Sequence, residues 1–294
     1  MEEKKKNWYG KNYKKLLILP IVLLVLSVGY LVQFNLQTGD IIKKDVSLTG
    51  GTTITVFDAS VNIDNLKDNL KKEFPDLLVR GISDFRTGSQ QGFFIETIAE
   101  VNEIQPALEK FLGYGLTQEN SSIEFTGQAI SSSFYQQLRF AVILAFLFMA
   151  IVIFIIFRTP VPSLAVIFSA FADIVMTLAL VNLVGMNLSI GGIVAFLMLI
   201  GYSVDTDVLL TTRLIRKKEG TLNQRMVGAL KTGITMTLTS IIAVFTALII
   251  IYNFSEVLRQ IFTILLIGLG FDVFNTWITN ASILKWYAEV KKIE

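Results

Sequence analysis

Long apolar runs dominate the pattern of hydrophobic and polar positions along the chain. A helix needs roughly 20 apolar residues to cross a bilayer. Six runs reach this length, near residues 15–34, 138–157, 163–182, 190–212, 233–252 and 259–282. A basic segment, KKKNWYGKNYKK, precedes the first run, which contains Pro20 and has no clear small-residue cleavage site. We therefore expect an uncleaved membrane anchor rather than a signal peptide.

A polar stretch, residues 36–137, separates the first run from the second and has the pattern of a folded domain. In TTITVF the apolar and polar side chains alternate, as in a strand, and LLVRGIS, GFFIETIA and SSIEFTG predict three more strands. Apolar residues at helical spacing predict two helices, one through Ile63, Leu66, Leu70 and Phe74 and one through Val101, Ile104, Leu108 and Phe111. The order strand–helix–strand–strand–helix–strand predicts a ferredoxin-like domain, although a general α+β binding module fits the same pattern.

The fold class predicted from these elements is a membrane all-α bundle of six transmembrane helices with one external α+β domain between helices 1 and 2. Lys and Arg are concentrated before the first run, between residues 213 and 231, and at the C-terminus, which places these segments in the cytoplasm. We expect a multi-pass protein of the cytoplasmic membrane with both termini inside. The predicted division is 1–15 cytoplasmic N-terminus, 16–35 first transmembrane helix, 36–137 extracytoplasmic ferredoxin-like domain, 138–282 transmembrane helices 2–6, and 283–294 cytoplasmic C-terminus.

Composition agrees with a membrane protein and narrows the possible chemistry. The 294 residues are 52% hydrophobic and 17% charged, and the mean hydropathy is +0.58. The sequence has no Cys and no His, which removes the usual ligands of zinc and haem sites and the usual base of a serine triad. It also has no glycine-rich phosphate loop. We expect no metal, no cofactor, no nucleic-acid partner and no enzymatic activity.

Aspartates occur near the middle of three of the predicted spans. Asp205 lies eight residues before Arg213, about 12 Å along a helix, close to the centre of a hydrocarbon core roughly 30 Å thick. Asp207 lies in the same span, and Asp173 and Asp272 occupy the centres of the third and sixth. A charge at this depth costs about 2.5–3.5 kcal/mol. We interpret the four aspartates as candidate ion-coupling groups; the alternative is permanent pairing with a cation, and cations are scarce within the spans.

Polar residues follow these aspartates at helical spacing. Side chains three and four positions apart share a helix face, which predicts a supporting polar stripe of Ser169, Thr177, Ser203, Thr211, Thr235 and Thr239. Asn275, Thr276, Thr279 and Asn280 continue the pattern after Asp272. We expect the stripes to converge; ordinary helix–helix hydrogen bonding is the alternative. Asp205 and Asp207 lie about 200° apart on a regular helix, so only one of them faces the groove.

Three segments carry a resemblance to a known family. GYSVDTDVLLTTRLIRKKEG, residues 201–220, resembles the fourth-helix signature of the SecD/SecF family of protein-export membrane proteins. LTGGTTI, residues 48–54, resembles the family's stretch after the first helix, and Asp173 matches an aspartate on its third helix. The order of elements is similar to the family's along the whole chain: one spanning helix, an external domain, then five helices. The family has external domains of two sizes, and the domain of about 100 residues here matches the smaller. Ser47 in place of a family aspartate, and the lack of an arginine near Thr235, resemble archaeal members.

The resemblance implies an accessory subunit of the Sec translocase that assists protein export, coupled to the proton motive force or another ion gradient. The implied partners are a SecD-type six-helix chain, a SecY-type channel complex, the translocating polypeptide and membrane lipid. Gly50 and Gly51 would form the junction between the first span and the external domain. The resemblance favours Asp205 as the more important carboxylate, whereas the polar stripe favours Asp207. We expect Asp205 to be the more important, because the motif matches over the whole segment. A half-sized small-molecule exporter of the resistance–nodulation–division type is the rival interpretation, and a receptor or sensor is a third.

Overall fold

The computed structural model describes residues 12–84, 87–216, 220–252 and 255–292. Within these ranges six helices are long and apolar enough to cross a membrane, which confirms the six predicted spans. In chain order, the first to sixth spans are Asn12–Thr38, Gln128–Phe157, Pro160–Leu183, Ile190–Ile215, Leu222–Ile251 and Glu256–Val290. Residues 1–11 of the predicted cytoplasmic N-terminus and residues 217–219 of the basic linker lie outside the described ranges.

Three spans extend well beyond their apolar runs. The second begins at Gln128, ten residues before the predicted position, and the fifth begins at Leu222, eleven residues before it. The sixth continues to Val290. Helical hydrogen bonds do not stop at the edge of the hydrocarbon core, whereas the hydrophobic pattern marks only the part inside it. The sixth span is also irregular: an α-helix, Glu256–Phe274, passes through a π-helix, Asn275–Asn280, into a last α-helix, Ala281–Val290.

A four-stranded antiparallel sheet lies in the chain between the first and second spans. Its strands are β1 (Gly51–Val56), β2 (Leu78–Ser83), β3 (Gln90–Thr97) and β4 (Ser121–Thr126), in the spatial order β2-β3-β1-β4. Helix α1 (Val46–Thr49) precedes β1, α2 (Ile63–Leu70) follows it, and α3 (Val101–Leu112) follows β3. The apolar faces of both longer helices and the sheet bury one core, which includes Ile54, Leu66, Phe93, Ile104 and Leu108.

Gly50 and Gly51 join α1 to β1 in a conformation that other residues rarely adopt. Their φ angles are +84° and +145°. A Cβ atom on Gly50 would lie 2.6 Å from the Cα atom of Gln128, and one on Gly51 would lie 2.2 Å from the carbonyl oxygen of Thr97. The α+β domain therefore meets the start of the second span at a point where no side chain fits.

The third, fourth and sixth spans pack together and form the core of the membrane bundle. Leu199, Ile264 and Leu265 are buried between them, and Gly268 lies directly against Leu199. The first, second and fifth spans are mostly exposed along their length. This arrangement places the polar residues of the three central spans inside the bundle and leaves apolar surface on the outer spans.

Candidate functional site

Three of the four predicted aspartates meet inside the bundle, between the third, fourth and sixth spans. Asp173 and Asp207 have no exposed surface, and Asp272 is 1% exposed. Each comes from a different span, and the hydrogen bonds of each reach across to a neighbouring span. We refer to Asp173, Asp207 and Asp272 as the carboxylate cluster.

Asp173 is held by one hydroxyl and one amide group. The Ser203 Oγ of the fourth span donates to Asp173 Oδ2 at 2.6 Å, and the Asn275 Nδ2 of the sixth span donates to Oδ1 at 2.7 Å. Thr279 Oγ1 donates to Asn275 Oδ1 at 3.2 Å. This last bond orients the amide so that its NH₂ group points at Asp173.

Asp207 receives two hydrogen bonds on one oxygen and none on the other. Thr276 Oγ1 and Asn280 Nδ2 donate to Asp207 Oδ1 at 2.8 Å and 2.7 Å. Asp207 Oδ2 is buried and has no hydrogen-bond partner among the described residues. Thr211 Oγ1 donates to the backbone carbonyl of Asp207 at 2.7 Å rather than to its carboxylate.

Thr276 lies between two of the carboxylates. Its Oγ1 is 2.8 Å from Asp207 Oδ1 and 3.2 Å from Asp272 Oδ1, and Thr206 Oγ1 approaches both oxygens of Asp272 at 3.0 and 3.1 Å. A hydroxyl group has one proton to donate. Thr276 can therefore donate to only one of the two carboxylates. It accepts a hydrogen bond from the other carboxyl group only when that group carries a proton.

All the groups that donate to the cluster are neutral. The donors are Ser203, Thr206, Asn275, Thr276 and Asn280, and the ion pairs found in the described ranges do not include the cluster. Buried like charges without a counter-charge are costly in a low-dielectric interior. Chemically, the arrangement suits the reversible binding of a proton or a small cation. No group of His, Cys, Asp and Glu side chains with metal-ligating spacing occurs in the part of the chain that the structure describes.

The π-helix of the sixth span gives the cluster most of its donors. It lies one residue beyond Phe274, directly after the turn that carries Asp272. Asn275, Thr276, Thr279 and Asn280 are all buried. A wider helical turn lets these polar side chains face the same interior, and π-helical turns occur frequently at functional sites.

Asp205 and the threonines of the fifth span lie elsewhere. Asp205 is exposed on the surface of the fourth span. Thr235 and Thr239 are exposed too, and their hydroxyls bond backbone carbonyls of their own helix, for example Thr235 Oγ1 to Lys231 at 2.7 Å. Of the four polar stripes expected to converge, those of the third, fourth and sixth spans do so. The stripe of the fifth span does not, because this helix buries a different face, which contains Gly233 and Thr237.

The remaining residues of the predicted stripe lie within the bundle with different roles. Ser169 and Thr177 are buried one turn either side of Asp173. The Ser169 hydroxyl approaches the carboxylate of Asp207, and the Thr177 hydroxyl has no partner among the described residues. Sequence reasoning did not select Thr206, which supplies the hydroxyl closest to Asp272. The available signal was its position three residues after Ser203, on the same helix face.

A second group of charges lies where the sheet meets the ends of the fourth and sixth spans. Arg80 of β2 pairs with Glu256 at the start of the sixth span, and Arg259 pairs with the same carboxylate. Burial, with the nearby carboxylate of Asp45, raises the pKa of Glu96 to about 7, although Arg80 opposes the shift. Asp45, Arg80, Glu96 and Glu256 line one part of a cavity of about 400 Å³ between the domain and the bundle. The Arg80–Glu256 ion pair connects the domain to the bundle, whereas Arg259 and Glu256 belong to the same helix.

Comparisons with known proteins give one family along the chain. A family model described as "Protein export membrane protein SecD/SecF, C-terminal" matches residues 108–290. The chain is 38% identical to the protein-export membrane protein SecF of Methanocaldococcus jannaschii, over 94% of this chain and 96% of that protein. It is 35% identical to the SecF of Pyrococcus furiosus, over 98% and 95% of the two chains.

A solved structure gives the same fold. The crystal structure of SecDF, a translocon-associated membrane protein from Thermus thermophilus, aligns with a TM-score of 0.70 at 18% identity and covers 95% of this chain. The chain spans 38% of the length of that SecDF chain.

Proposed function

Because the chain belongs to the SecD/SecF family of protein-export membrane proteins, we propose that it is an accessory subunit of the Sec translocase that couples an ion gradient to protein export. The observation that carries this proposal is the carboxylate cluster, three buried aspartates held only by neutral donors. Binding and release of a proton or cation changes the charge inside the bundle. One elementary charge that crosses 100 mV releases about 2.3 kcal/mol, enough to bias a movement between the bundle and the α+β domain.

Within the cluster, Asp207 and Asp272 are the central pair in this proposal. Thr276 connects them through one hydroxyl, and Asp207 Oδ2 remains without a partner among the described residues. Asp173 extends the cluster towards the third span. Ser203, Thr206, Asn275 and Asn280 act as positioning residues that hold the carboxylates in place.

We assign Asp205 to the surface that meets a SecD-type six-helix partner. It is exposed at mid-depth, beside the exposed side chains of Met198 and Tyr202. A carboxylate in contact with lipid at this depth costs about 2.5–3.5 kcal/mol, so a polar group of another chain is the favourable cover. The greater length of the matching SecDF chain supports such a partner.

We assign the α+β domain to the ferredoxin-like class and to the outer side of the cytoplasmic membrane. There it would engage polypeptides that leave a SecY-type channel. Its strand order, β2-β3-β1-β4, and the alternation of strands and helices support the class. The Lys and Arg bias supports the orientation, with both termini inside. Single cysteines at Lys67 and Lys231 test the orientation, since the chain has none of its own. An impermeant thiol reagent applied to intact cells should label Lys67→Cys and spare Lys231→Cys; the opposite pattern would contradict it.

The coupling role is tested by secretion of a reporter protein in vesicles with a defined ion gradient. Asp207→Asn keeps the shape of the side chain and removes the exchangeable carboxyl, so gradient-dependent secretion should fall, whereas Asp207→Glu should retain part of it. Asp64→Asn, on the exposed face of α2, is the charge-matched control and should behave as the unmodified chain. Gradient-dependent secretion at the unmodified rate by all three variants would refute ion coupling at this site. Co-purification of a second six-helix chain and a SecY-type channel distinguishes the translocase subunit from a small-molecule exporter.

A further inference from the structure

A polar cavity opens between the first turns of the second span and the segment that follows the first span. Its volume is about 500 Å³. The side chains that line it and matter to its chemistry are Asp40, Lys44, Gln128, Ser132, Tyr135 and Arg139. It is separate from the carboxylate cluster and from the ion pairs of Arg80 and Arg259, and the proposed coupling mechanism does not use it.

Two cations face the same aromatic ring in this cavity. Lys44 Nζ lies 4.8 Å from the centre of the Tyr135 ring, and the guanidinium carbon of Arg139 lies 5.8 Å from it. Asp40 is the one carboxylate among the lining residues. Arg139 is exposed and forms no ion pair with the carboxylates in the described ranges. The lining therefore carries one positive charge more than it carries negative charges.

The carboxylate of Asp40 is already engaged. It accepts the hydroxyl of Tyr135 at 2.7 Å and the ammonium of Lys44 at 3.1 Å. Burial acts to raise the pKa of Asp40, but these two groups hold it below its usual value. Asp40 thus stays ionised and fixes the positions of Tyr135 and Lys44. Arg139 directs one donor at the Tyr135 hydroxyl and keeps its other donors available for an anion.

The depth of Arg139 places the cavity at a membrane boundary. Arg139 and Arg158 are 19 residues apart at the two ends of one helical segment, about 28 Å at 1.5 Å per residue. The 18 residues between them are all apolar. A hydrocarbon core is roughly 30 Å thick. With Arg158 at one boundary, Arg139 and the cavity lie at the other, on the side of the α+β domain, where phosphate headgroups are found.

An exposed apolar stripe continues from Arg139 into the membrane. Ile143, Leu147 and Ile151 follow it at intervals of four residues and are 61%, 52% and 45% exposed. Side chains at this spacing lie on one face of the helix. A molecule with its anionic head at Arg139 would therefore have apolar surface beneath it for its tail.

We propose that this cavity binds the phosphate headgroup of an anionic membrane lipid, with Arg139 and Lys44 as its cationic contacts and the stripe of Ile143, Leu147 and Ile151 against an acyl chain. Arginine presents several donors to phosphate oxygens in a fixed planar geometry, and lysine adds a point charge. Gln128 and Ser132, in the first turns of the second span, supply further polar groups for the headgroup. The bound lipid would connect the segment after the first span to the second span at the base of the domain.

The test uses the purified full chain and measures lipids retained by native mass spectrometry, together with the melting temperature in mixed micelles. The probes are phosphatidylglycerol, phosphatidylcholine, and inorganic phosphate alone. The unmodified chain should retain phosphatidylglycerol about tenfold more strongly than phosphatidylcholine, which corresponds to about 1.4 kcal/mol. The double variant Lys44→Gln/Arg139→Gln should lose this preference, and Arg139→Lys, which keeps the charge, should retain much of it.

A charge-matched control distinguishes a site from general attraction. Lys71→Gln/Lys72→Gln removes two exposed cations of the α+β domain outside the cavity and should leave the preference intact. Equal loss in this control, or equal retention of both lipids by the unmodified chain, would overturn the proposal. Stabilisation by inorganic phosphate as strong as that by phosphatidylglycerol would also overturn it, because the occupant would then be a free anion rather than a lipid.

Discussion

The hydroxyl of Thr276 gives the sharpest test of how the carboxylate cluster works. Thr276→Val replaces the hydroxyl with a methyl group of similar size and leaves Asn280 as the remaining donor to Asp207 Oδ1. A hydrogen bond to an ionised group contributes about 1.5–3 kcal/mol, and 1.4 kcal/mol is a factor of ten in an equilibrium. The variant also breaks the only hydroxyl link found between Asp207 and Asp272 in the described residues. We expect gradient-dependent secretion to fall by about tenfold or more.

A matched substitution shows whether the effect belongs to the cluster. Thr279→Val makes the same chemical change in the same π-helix, but the Thr279 hydroxyl donates to Asn275 and not to a carboxylate. It should cause a much smaller loss of secretion, and Thr276→Ser, which keeps a hydroxyl, should secrete close to the unmodified rate. Reporter secretion in vesicles with an imposed gradient is the assay, with the melting temperature as a check on folding. If Thr276→Val is folded and secretes at the unmodified rate, the hydroxyl link has no part in coupling.

Three further predictions concern the α+β domain. Burial and the nearby carboxylate of Asp45 raise the pKa of Glu96 from 4.5 to about 7. The stabilisation that comes from protonated Glu96 is therefore complete below about pH 4.5 and is lost as the pH rises through 7. The melting temperature of the full chain should fall over this range, and it should fall less for Glu96→Gln. Gly51→Ala places a Cβ atom against the carbonyl of Thr97 and should lower the melting temperature markedly, whereas Gly29→Ala, where nothing lies within 4 Å, should not. Leu66→Ala empties a fully buried position and should destabilise the domain by about 2–5 kcal/mol, measured by denaturant unfolding.

The pH prediction depends on the charges that face Glu96. Asp45 favours the protonated form of Glu96 and Arg80 favours its ionised form, while Glu256 holds Arg80 through an ion pair. Removal of Arg80 should therefore strengthen the pH dependence, because the cation that favours ionised Glu96 is lost. A melting temperature that does not change between pH 5 and pH 8 in the unmodified chain would contradict this assignment.

The six spans and the strands of the domain could be predicted from the sequence because burial imposes a period on the side chains. Twenty apolar residues mark a bilayer crossing, and alternation in TTITVF marks a half-buried strand. Helix α1 did not appear in the pattern, because four residues are too few to show a period; its start depends on Asp45, whose carboxylate accepts from the amide of Ser47 at 2.8 Å.

Periodicity could not decide which face of each span is buried. It gave a threonine stripe on the fifth span, but Thr235 and Thr239 face outward, where each satisfies its hydroxyl on its own helix. Helical spacing correctly placed Asp205 and Asp207 on different faces of the fourth span. Packing against the third and sixth spans decides that Asp207 is the buried one. Which face of a span is buried depends on contacts with other spans, and the spacing of residues within one helix does not reveal these contacts.

The π-helix was also beyond sequence reasoning. Its residues, NTWITN, have no property that separates them from an ordinary polar turn of an α-helix. The wider turn is favourable here because Asn275 and Asn280 reach carboxylates on two other spans, Asp173 and Asp207. These bonds exist only once the three spans are packed together.

The most direct test of ion coupling is ion movement during translocation itself. Vesicles are prepared that contain the chain, a SecD-type chain and a SecY-type channel. They are loaded with a pH-sensitive dye and supplied with a translocating polypeptide under an imposed proton gradient. The same vesicles are tested with an imposed sodium gradient and a sodium-sensitive dye. With the unmodified chain, ion flux should accompany translocation. Asp207→Asn should lose both the flux and gradient-dependent translocation, while Asp64→Asn retains both. Flux and translocation that persist unchanged in Asp207→Asn would contradict the account.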